Sequence, residues 1–179
     1  MRSITTTLPA LFLAAACGGL LGAGPAKDDA SKPRVQGTWQ QKLVGELDKG
    51  KPESTEAWGL FSKGGWADNG QVMVFAAKDG GGKVEIVDPA KKTVSSQRTL
   101  SPAELDAFKK KVAGADQLAD VKSTAMDAIV YEYVHAAKGT DGKVEVQKRV
   151  LYQTSSAKNP DHDALVAAFQ DLRPKTAKR

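Results

Sequence analysis

The chain has 179 residues, of which 41% are hydrophobic and 6% aromatic, and its formal net charge is +5 at pH 7. Once a leader and a linker are removed, this length leaves about one domain with enough apolar residues for one core. Most of the basic excess lies in the last seven residues, which carry Arg173, Lys175, Lys178 and Arg179 and no acid. Nucleic-acid-binding proteins gather basic residues on one face, so this distribution argues against nucleic acid as a partner.

The N-terminus has the pattern of a secretory signal peptide. A positively charged start and an apolar run through Leu13 lead to three alanines and then to Cys17. A cationic start, a short apolar core and small residues at the cleavage position are typical of such signals. Cys17 stands where bacterial lipoprotein precursors carry the cysteine that is acylated after cleavage. We therefore predict a signal peptide over residues 1–16 and a lipid anchor on Cys17.

Ordinary signal cleavage after Ala26, with a signal over residues 1–26, is the alternative. Gly24 and Ala26 supply small residues at the two key positions, and the apolar run continues past Cys17 through Leu20 and Leu21. In either case we expect the protein outside the cytoplasm, in the cell envelope or secreted. Because the chain has one cysteine, no disulfide can form within it, and the core alone must stabilise the fold.

Residues 17–34 lack hydrophobic periodicity and predict a flexible linker, followed by a single domain over 35–173 and a basic tail over 174–179. Within the domain, predicted strands alternate with turn-forming Gly, Asp, Asn and Pro residues. The predicted strands cover residues 57–61, 71–77, 83–87, 93–98, 128–135 and 143–153. Residues 138–142 predict a hairpin turn between the last two.

Two helices are predicted, and the first has the clearer start. Ser101 suits an N-cap, Pro102 suits the first helical position, and Glu104 completes a capping box. Apolar residues at helical spacing follow, and Gly114 ends the helix. The second helix begins near residues 159–161 and again carries apolar residues at helical spacing.

The order of elements is strands, helix, hairpin and helix, without the strand–helix–strand alternation of a parallel sheet. It predicts an α+β fold in which an antiparallel β-sheet carries two α-helices packed on one face. In the last strand, the alternation predicts that Val144, Val146, Val150 and Tyr152 face the core and that Glu145, Gln147, Arg149 and Gln153 face outward.

The sequence contains no catalytic, metal-binding or cofactor-binding motif. Its two histidines are His135, at the end of a strand, and His162, in the first turn of the last helix. Asp161, His162 and Asp163 resemble metal ligands, but adjacent helical residues point in different directions, and zinc needs convergent ligands. The two acids are better explained as complements to a helix N-terminus. We expect a protein that is not an enzyme and has no catalytic residues, metal or cofactor.

One turn is a candidate contact for a partner protein. Ser62, Gly64, Gly65 and Trp66 combine polar and glycine residues with a large aromatic side chain. Tryptophan dominates many binding hot spots because its rigid ring buries a large area for little entropy. The structural alternative is that Trp66 folds back onto the sheet as part of the core.

A strand, the Ser-x-Gly-Gly-aromatic turn at Ser62 and a second strand precede Leu-Ser-Pro-Ala-Glu-Leu at residues 100–105. A loop, an Asp-x-x-x-Tyr strand over 127–131, a hairpin and a closing helix follow. Over about residues 57–173, this order resembles emfourin-like domains, a family of inhibitors of thermolysin-type metallopeptidases. The resemblance implies a non-catalytic inhibitor whose partner is a secreted metallopeptidase, with the turn as contact surface. Trp66 stands where Phe is expected.

Two other functions fit parts of the sequence. The tripeptide Gly37-Thr38-Trp39 resembles the Gly-x-Trp that opens lipocalin barrels. In those proteins the tryptophan closes one end of an eight-stranded barrel around a small apolar ligand. An envelope lipoprotein with a structural or adhesive role is the other alternative, and the sequence does not distinguish it from a binding protein.

Overall fold

The structure is a computed structural model, and it describes residues 38–49, 53–63, 71–88, 93–120, 129–153 and 159–173. Its helices are α1 (Thr38–Asp48), α2 (Pro102–Val112) and α3 (Pro160–Gln170), with a 3₁₀ helix over Ala115–Gln117. Its strands are β1 (Ser54–Lys63), β2 (Gln71–Ala77), β3 (Gly82–Asp88), β4 (Thr93–Leu100), β5 (Ile129–Lys138) and β6 (Val144–Gln153). Cys17, Gly64, Gly65 and Trp66 lie outside the described residues, as do the predicted signal peptide, linker and basic tail.

The described strands form one six-stranded sheet in the order β4-β3-β2-β1-β5-β6. Every neighbouring pair is antiparallel. All predicted strands are present; β2 has the predicted bounds, and the ends of the other strands differ by up to three residues. Because α2 and α3 pack on the same face of this sheet, the predicted α+β fold is confirmed.

The face covered by α2 and α3 is rich in aromatic contacts. Phe108 of α2 and Phe169 of α3 are buried against Trp58 of β1 and Tyr133 of β5. The Phe108 ring meets the Trp58 ring edge-on, with centroids 5.6 Å apart, and meets the Phe169 ring edge-on at 5.1 Å. Edge-to-face pairs favour one relative orientation of the rings, so they fix how the helices lie on the sheet.

The ends of α2 follow from its sequence. The Ser101 hydroxyl accepts a hydrogen bond from the Glu104 N–H at 3.3 Å, and the Ser101 N–H donates to Glu104 Oε2 at 2.9 Å, which confirms the capping box. At the other end, Gly114 has a φ of 86°, a left-handed conformation that glycine adopts without strain. This turn leads into the 3₁₀ helix and returns Asp116 to the sheet.

The opposite face of the sheet carries α1, which is an addition to the predicted two-helix arrangement. Leu43 and Leu47 of α1 are fully buried in a second cluster with Phe61 and Met73 of the sheet. Gly59 of β1 allows this close approach, since a Cβ atom there would lie 2.8 Å from Leu43 Cδ1. The sheet is therefore covered on both faces.

Coverage of both faces corrects the prediction for β6. Val144 and Val146 are partly buried and pack against the α1 cluster, on the face expected to point inward. Leu151, which shares a strand face with the residues expected to point outward, is fully buried in the cluster beneath α2 and α3. Glu145 and Gln147 are exposed as predicted, but the same face is buried at Leu151 because helices lie on both sides of the sheet.

The lipocalin architecture is also wrong for the described part of the chain. Trp39 lies in the first turn of α1 and not at the start of a strand. The described strands form an open sheet whose edges are β4 and β6. The helix is favoured because Trp39, Leu43 and Leu47 recur at every fourth position and place apolar side chains on one face.

Candidate functional site

A cluster of charged side chains lies between the sheet and the C-terminal end of α2. It consists of Glu56 of β1, Lys109 of α2, Asp116 of the 3₁₀ helix and His135 of β5, and we call it the His135 cluster. The cluster borders a pocket of about 170 Å³. The pocket is also lined by Trp58, Val112, Ala113, Gly114 and Tyr133.

His135 is engaged through both of its ring nitrogens. Its Nδ1 lies 2.6 Å from Asp116 Oδ2, and its Nε2 lies 2.9 Å from Glu56 Oε1. A neutral imidazole has one N–H donor, whereas an imidazolium has two. Since ionised carboxylates only accept, both contacts are hydrogen bonds when the ring carries two protons. The geometry therefore favours His135 as a cation.

The same contacts shift the pKa values of His135 and Glu56 in opposite directions. Burial of His135 lowers its pKa, but the hydrogen bonds and charges of Glu56 and Asp116 outweigh burial and raise the pKa overall. Burial of Glu56 raises its pKa, but the hydrogen bonds from His135 and Lys109 outweigh burial and lower the pKa overall. Each group thus stabilises the charged form of the other.

Trp58 supports both cations of the cluster. The Lys109 ammonium donates to Glu56 Oε2 at 2.6 Å and lies 5.1 Å from the centroid of the Trp58 ring. The His135 imidazole is stacked on the same indole, with centroids 5.4 Å apart and an interplanar angle of 6°. Cations are attracted to the face of an indole ring. Trp58 therefore helps to hold Lys109 and His135 where both reach Glu56.

Neighbouring residues fix the position of Asp116. The Arg149 guanidinium of β6 donates to the main-chain carbonyl of Asp116. Tyr133 lies beside His135 in the pocket wall and is 1% exposed. Burial, together with the nearby Asp116 carboxylate, strongly raises the pKa of the Tyr133 hydroxyl. Tyr133 is therefore a neutral phenol at any physiological pH.

The contacts within the His135 cluster hold its charged side chains in place and leave the imidazole without a free nitrogen. A general base needs a nitrogen within hydrogen-bonding reach of a substrate proton, and both nitrogens of His135 are already bonded to carboxylates. Within the described ranges, no group of three or more His, Cys, Asp or Glu side chains is placed to hold a metal ion. The cluster ties α2 and the 3₁₀ helix to β1 and β5.

The sequence-predicted site residues lie apart from this cluster. Ser62 is half-buried near the end of β1, and residues 64–66 are outside the described ranges. His162 is 2% exposed. Its main-chain N–H donates to Asn159 Oδ1 at 3.3 Å, so the Asn159 side chain caps α3. The His162 Nδ1 accepts a hydrogen bond from the Tyr152 N–H at 3.4 Å. His162 therefore connects the start of α3 to β6.

Sequence reasoning missed the His135 cluster because its members are far apart in the chain. Asp116 is 19 residues from His135, and Glu56 is 79 residues from it. The available signal was a polar residue on an otherwise apolar strand face. Glu56 precedes Trp58 by two positions, and His135 follows Tyr133 by two, so each shares a face with an aromatic residue.

No protein-family model, curated protein or solved structure matches this chain. None of the helices in the described ranges is long and apolar enough to cross a membrane.

Proposed function

We propose that this chain is an exported, non-catalytic binding protein whose partner is a secreted metallopeptidase of the thermolysin type. The observation that carries the non-catalytic part is the engagement of both His135 nitrogens, which makes the ring a structural cation. The N-terminal pattern supports export, with lipid on Cys17 or cleavage after Ala26. The order of motifs over about residues 57–173 supports the partner class.

The sheet topology supports a contact surface at the connection between β1 and β2. These neighbouring strands lie in the middle of the sheet, and residues 64–70, which include Trp66, join them in the chain. Both strands are anchored by buried side chains, such as Phe61 of β1 and Met73 of β2. A connection that starts and ends on rigid strands can present a contact residue at a lower entropy cost on binding.

An inhibition assay tests this proposal. We expect the processed chain to inhibit peptide hydrolysis by a purified thermolysin-type metallopeptidase at micromolar concentration. Trp66→Ala should weaken inhibition by about tenfold or more, because a hot-spot tryptophan contributes over ~2 kcal/mol. Trp66→Phe keeps an aromatic ring and should retain most of the inhibition.

Thr140→Ala is the control variant. Thr140 is exposed in the turn between β5 and β6, at the opposite end of the sheet from the β1–β2 connection, so inhibition should not change. Absence of inhibition by the unaltered chain at micromolar concentration would refute a metallopeptidase partner. Peptide hydrolysis by the chain itself, abolished in His135→Gln, would refute a non-catalytic protein.

A further inference from the structure

The two edges of the sheet differ in how their backbone groups are covered. On the β6 edge, the Val150 N–H donates to Asp120 Oδ1 at 2.8 Å. The next outward N–H along this strand, that of Tyr152, donates to His162 Nδ1 at 3.4 Å. Unpaired N–H and C=O groups on an edge strand are a template for pairing with another chain. Side chains from outside the strand occupy these positions on β6 and block such pairing there.

The β4 edge lacks comparable cover in the described part of the molecule. Beyond β4 there is no further described strand. Two of its side chains bond inward to β3: the Ser95 hydroxyl donates to the Ile86 carbonyl at 3.1 Å, and the Gln97 amide donates to Glu85 Oε1 at 3.2 Å. These two side chains therefore do not cover the outer backbone groups of β4.

The sequence of β4 also favours pairing. Thr93–Leu100 contains no Lys, Asp, Glu or Pro, which are residues that commonly protect an exposed edge, and its regular pairing with β3 is interrupted at Ser95, between Val94 and Ser96. Its single charged residue, Arg98, forms an ion pair with Glu104 of α2 at 3.1 Å. The edge is therefore close to neutral, and an identical edge can approach it without net repulsion between like charges.

We propose that β4 pairs in antiparallel fashion with β4 of a second copy of this chain and forms a two-fold symmetric dimer. A two-fold axis makes identical edges complementary, because each strand offers the other the same donors and acceptors. We favour a second copy as the partner of β4 because pairing of the two β4 strands leaves no β4 edge for a third chain. The joined sheet has β6 at both outer edges, where Asp120 and His162 cover backbone N–H groups.

The expected affinity follows from the size of the contact. Pairing of two strands of 8 residues each provides less than the roughly 1,200 Å² of buried surface that stable dimers need. We therefore expect a dissociation constant on the order of tens of micromolar, which corresponds to a reversible dimer.

Sedimentation velocity over a concentration series tests the proposal on the processed full chain. A reducing agent keeps Cys17 from forming an intermolecular disulfide. The chain should change from monomer to dimer between about 5 and about 500 µM. Ser95→Lys places a positive charge on each of the two paired edges and should weaken dimerisation by at least about tenfold. Thr140→Lys adds the same charge to an exposed turn and should leave dimerisation unchanged.

Hydrogen–deuterium exchange locates the contact. Within residues 93–100, the amides that do not bond to β3 should exchange more slowly as concentration rises, whereas the amides of residues 144–153 should not change. A monomer at all concentrations, or a dimer that Ser95→Lys does not weaken, would overturn the proposal. So would protection, in the monomer, of the β4 amides that do not bond to β3, because another segment of the same chain would then cover the edge. Thr93→Lys, opposite Asp88, is the second variant if Ser95→Lys does not fold.

Discussion

The imidazole of His135 lies parallel to the indole of Trp58, with an interplanar angle of 6° and ring centroids 5.4 Å apart. On β1 and β5 these two residues are direct cross-strand partners. The Trp58 ring also packs edge-on against Phe108, a residue of α2 that is buried in the core. Trp58 therefore joins the apolar core to the charged cluster, and the protonation of His135 should affect the stability of the fold.

We expect the free energy of unfolding to decrease as pH rises above about 6.5. Hydrogen bonds to Glu56 and Asp116 outweigh burial and hold the folded-state pKa of His135 above its ordinary value, which the unfolded chain keeps. The stabilisation is therefore fully present below about pH 6.5 and is lost as pH rises through the folded-state pKa. Urea unfolding at a series of pH values measures the free energy of unfolding, and an NMR titration of the imidazole measures the folded-state pKa of His135.

His135→Gln is the control for this pH dependence, because an amide does not titrate. The slope of unfolding free energy against pH should become flatter above pH ~6.5 in this variant. An imidazole pKa at or below the ordinary value, or the same slope in both proteins, would contradict the prediction.

Gly59→Ala should destabilise the fold by about 1–3 kcal/mol, as overpacking in a core does. The added Cβ would overlap Phe61 Cε2 and would lie 2.8 Å from Leu43 Cδ1, so these two buried side chains would have to shift. Gly45→Ala is the matched control, since a Cβ there meets nothing within 4 Å. That change lies inside α1 and should stabilise by about 0.5–1 kcal/mol. Chemical denaturation measures both, and equal midpoints would contradict the close approach of α1.

Gln40→Ala should cost about 1–3 kcal/mol because it removes a donor from a buried carboxylate. Glu132 of β5 is 1% exposed and accepts a hydrogen bond from Gln40 Nε2 at 2.7 Å. Gln41→Ala is the matched control, since Gln41 is the next residue and is exposed. Denaturation midpoints should fall for the first variant only, and amides of α1 should exchange faster in it. Equal effects of the two variants would mean that the Gln40–Glu132 bond does not hold α1.

The strands and α2 can be predicted because their signals are local. Alternation extends over a few residues, and Ser101, Pro102 and Glu104 act within one helical turn. The signal for α1 is also present, since Trp39, Leu43 and Leu47 recur every four residues. The Gly-x-Trp interpretation at residues 37–39 competes with that signal and favours a strand.

The His135 cluster depends on information that is not local. It forms because β1 pairs with β5 in a register that sets Trp58 opposite His135 and Glu56 opposite Ala137. A shift of β5 by one residue would turn His135 to the α1 side of the sheet. Asp116 reaches the cluster only because the chain turns at Gly114. Neither the register nor the turn has a signature in the residues around His135.

Ser101→Ala should lower the free energy of unfolding by about 1 kcal/mol, the usual cost of losing an N-cap side chain. The variant leaves the Glu104 N–H without its capping acceptor and removes one donor from Glu104 Oε2. Thr140→Ala is the matched control, because it also removes a hydroxyl but from an exposed residue in the turn between β5 and β6. The cap lies at the end of α2 remote from Lys109, so the imidazole chemical shift of His135 should stay unchanged. A shift in that signal would mean that fraying of the first turn spreads along α2 to the cluster.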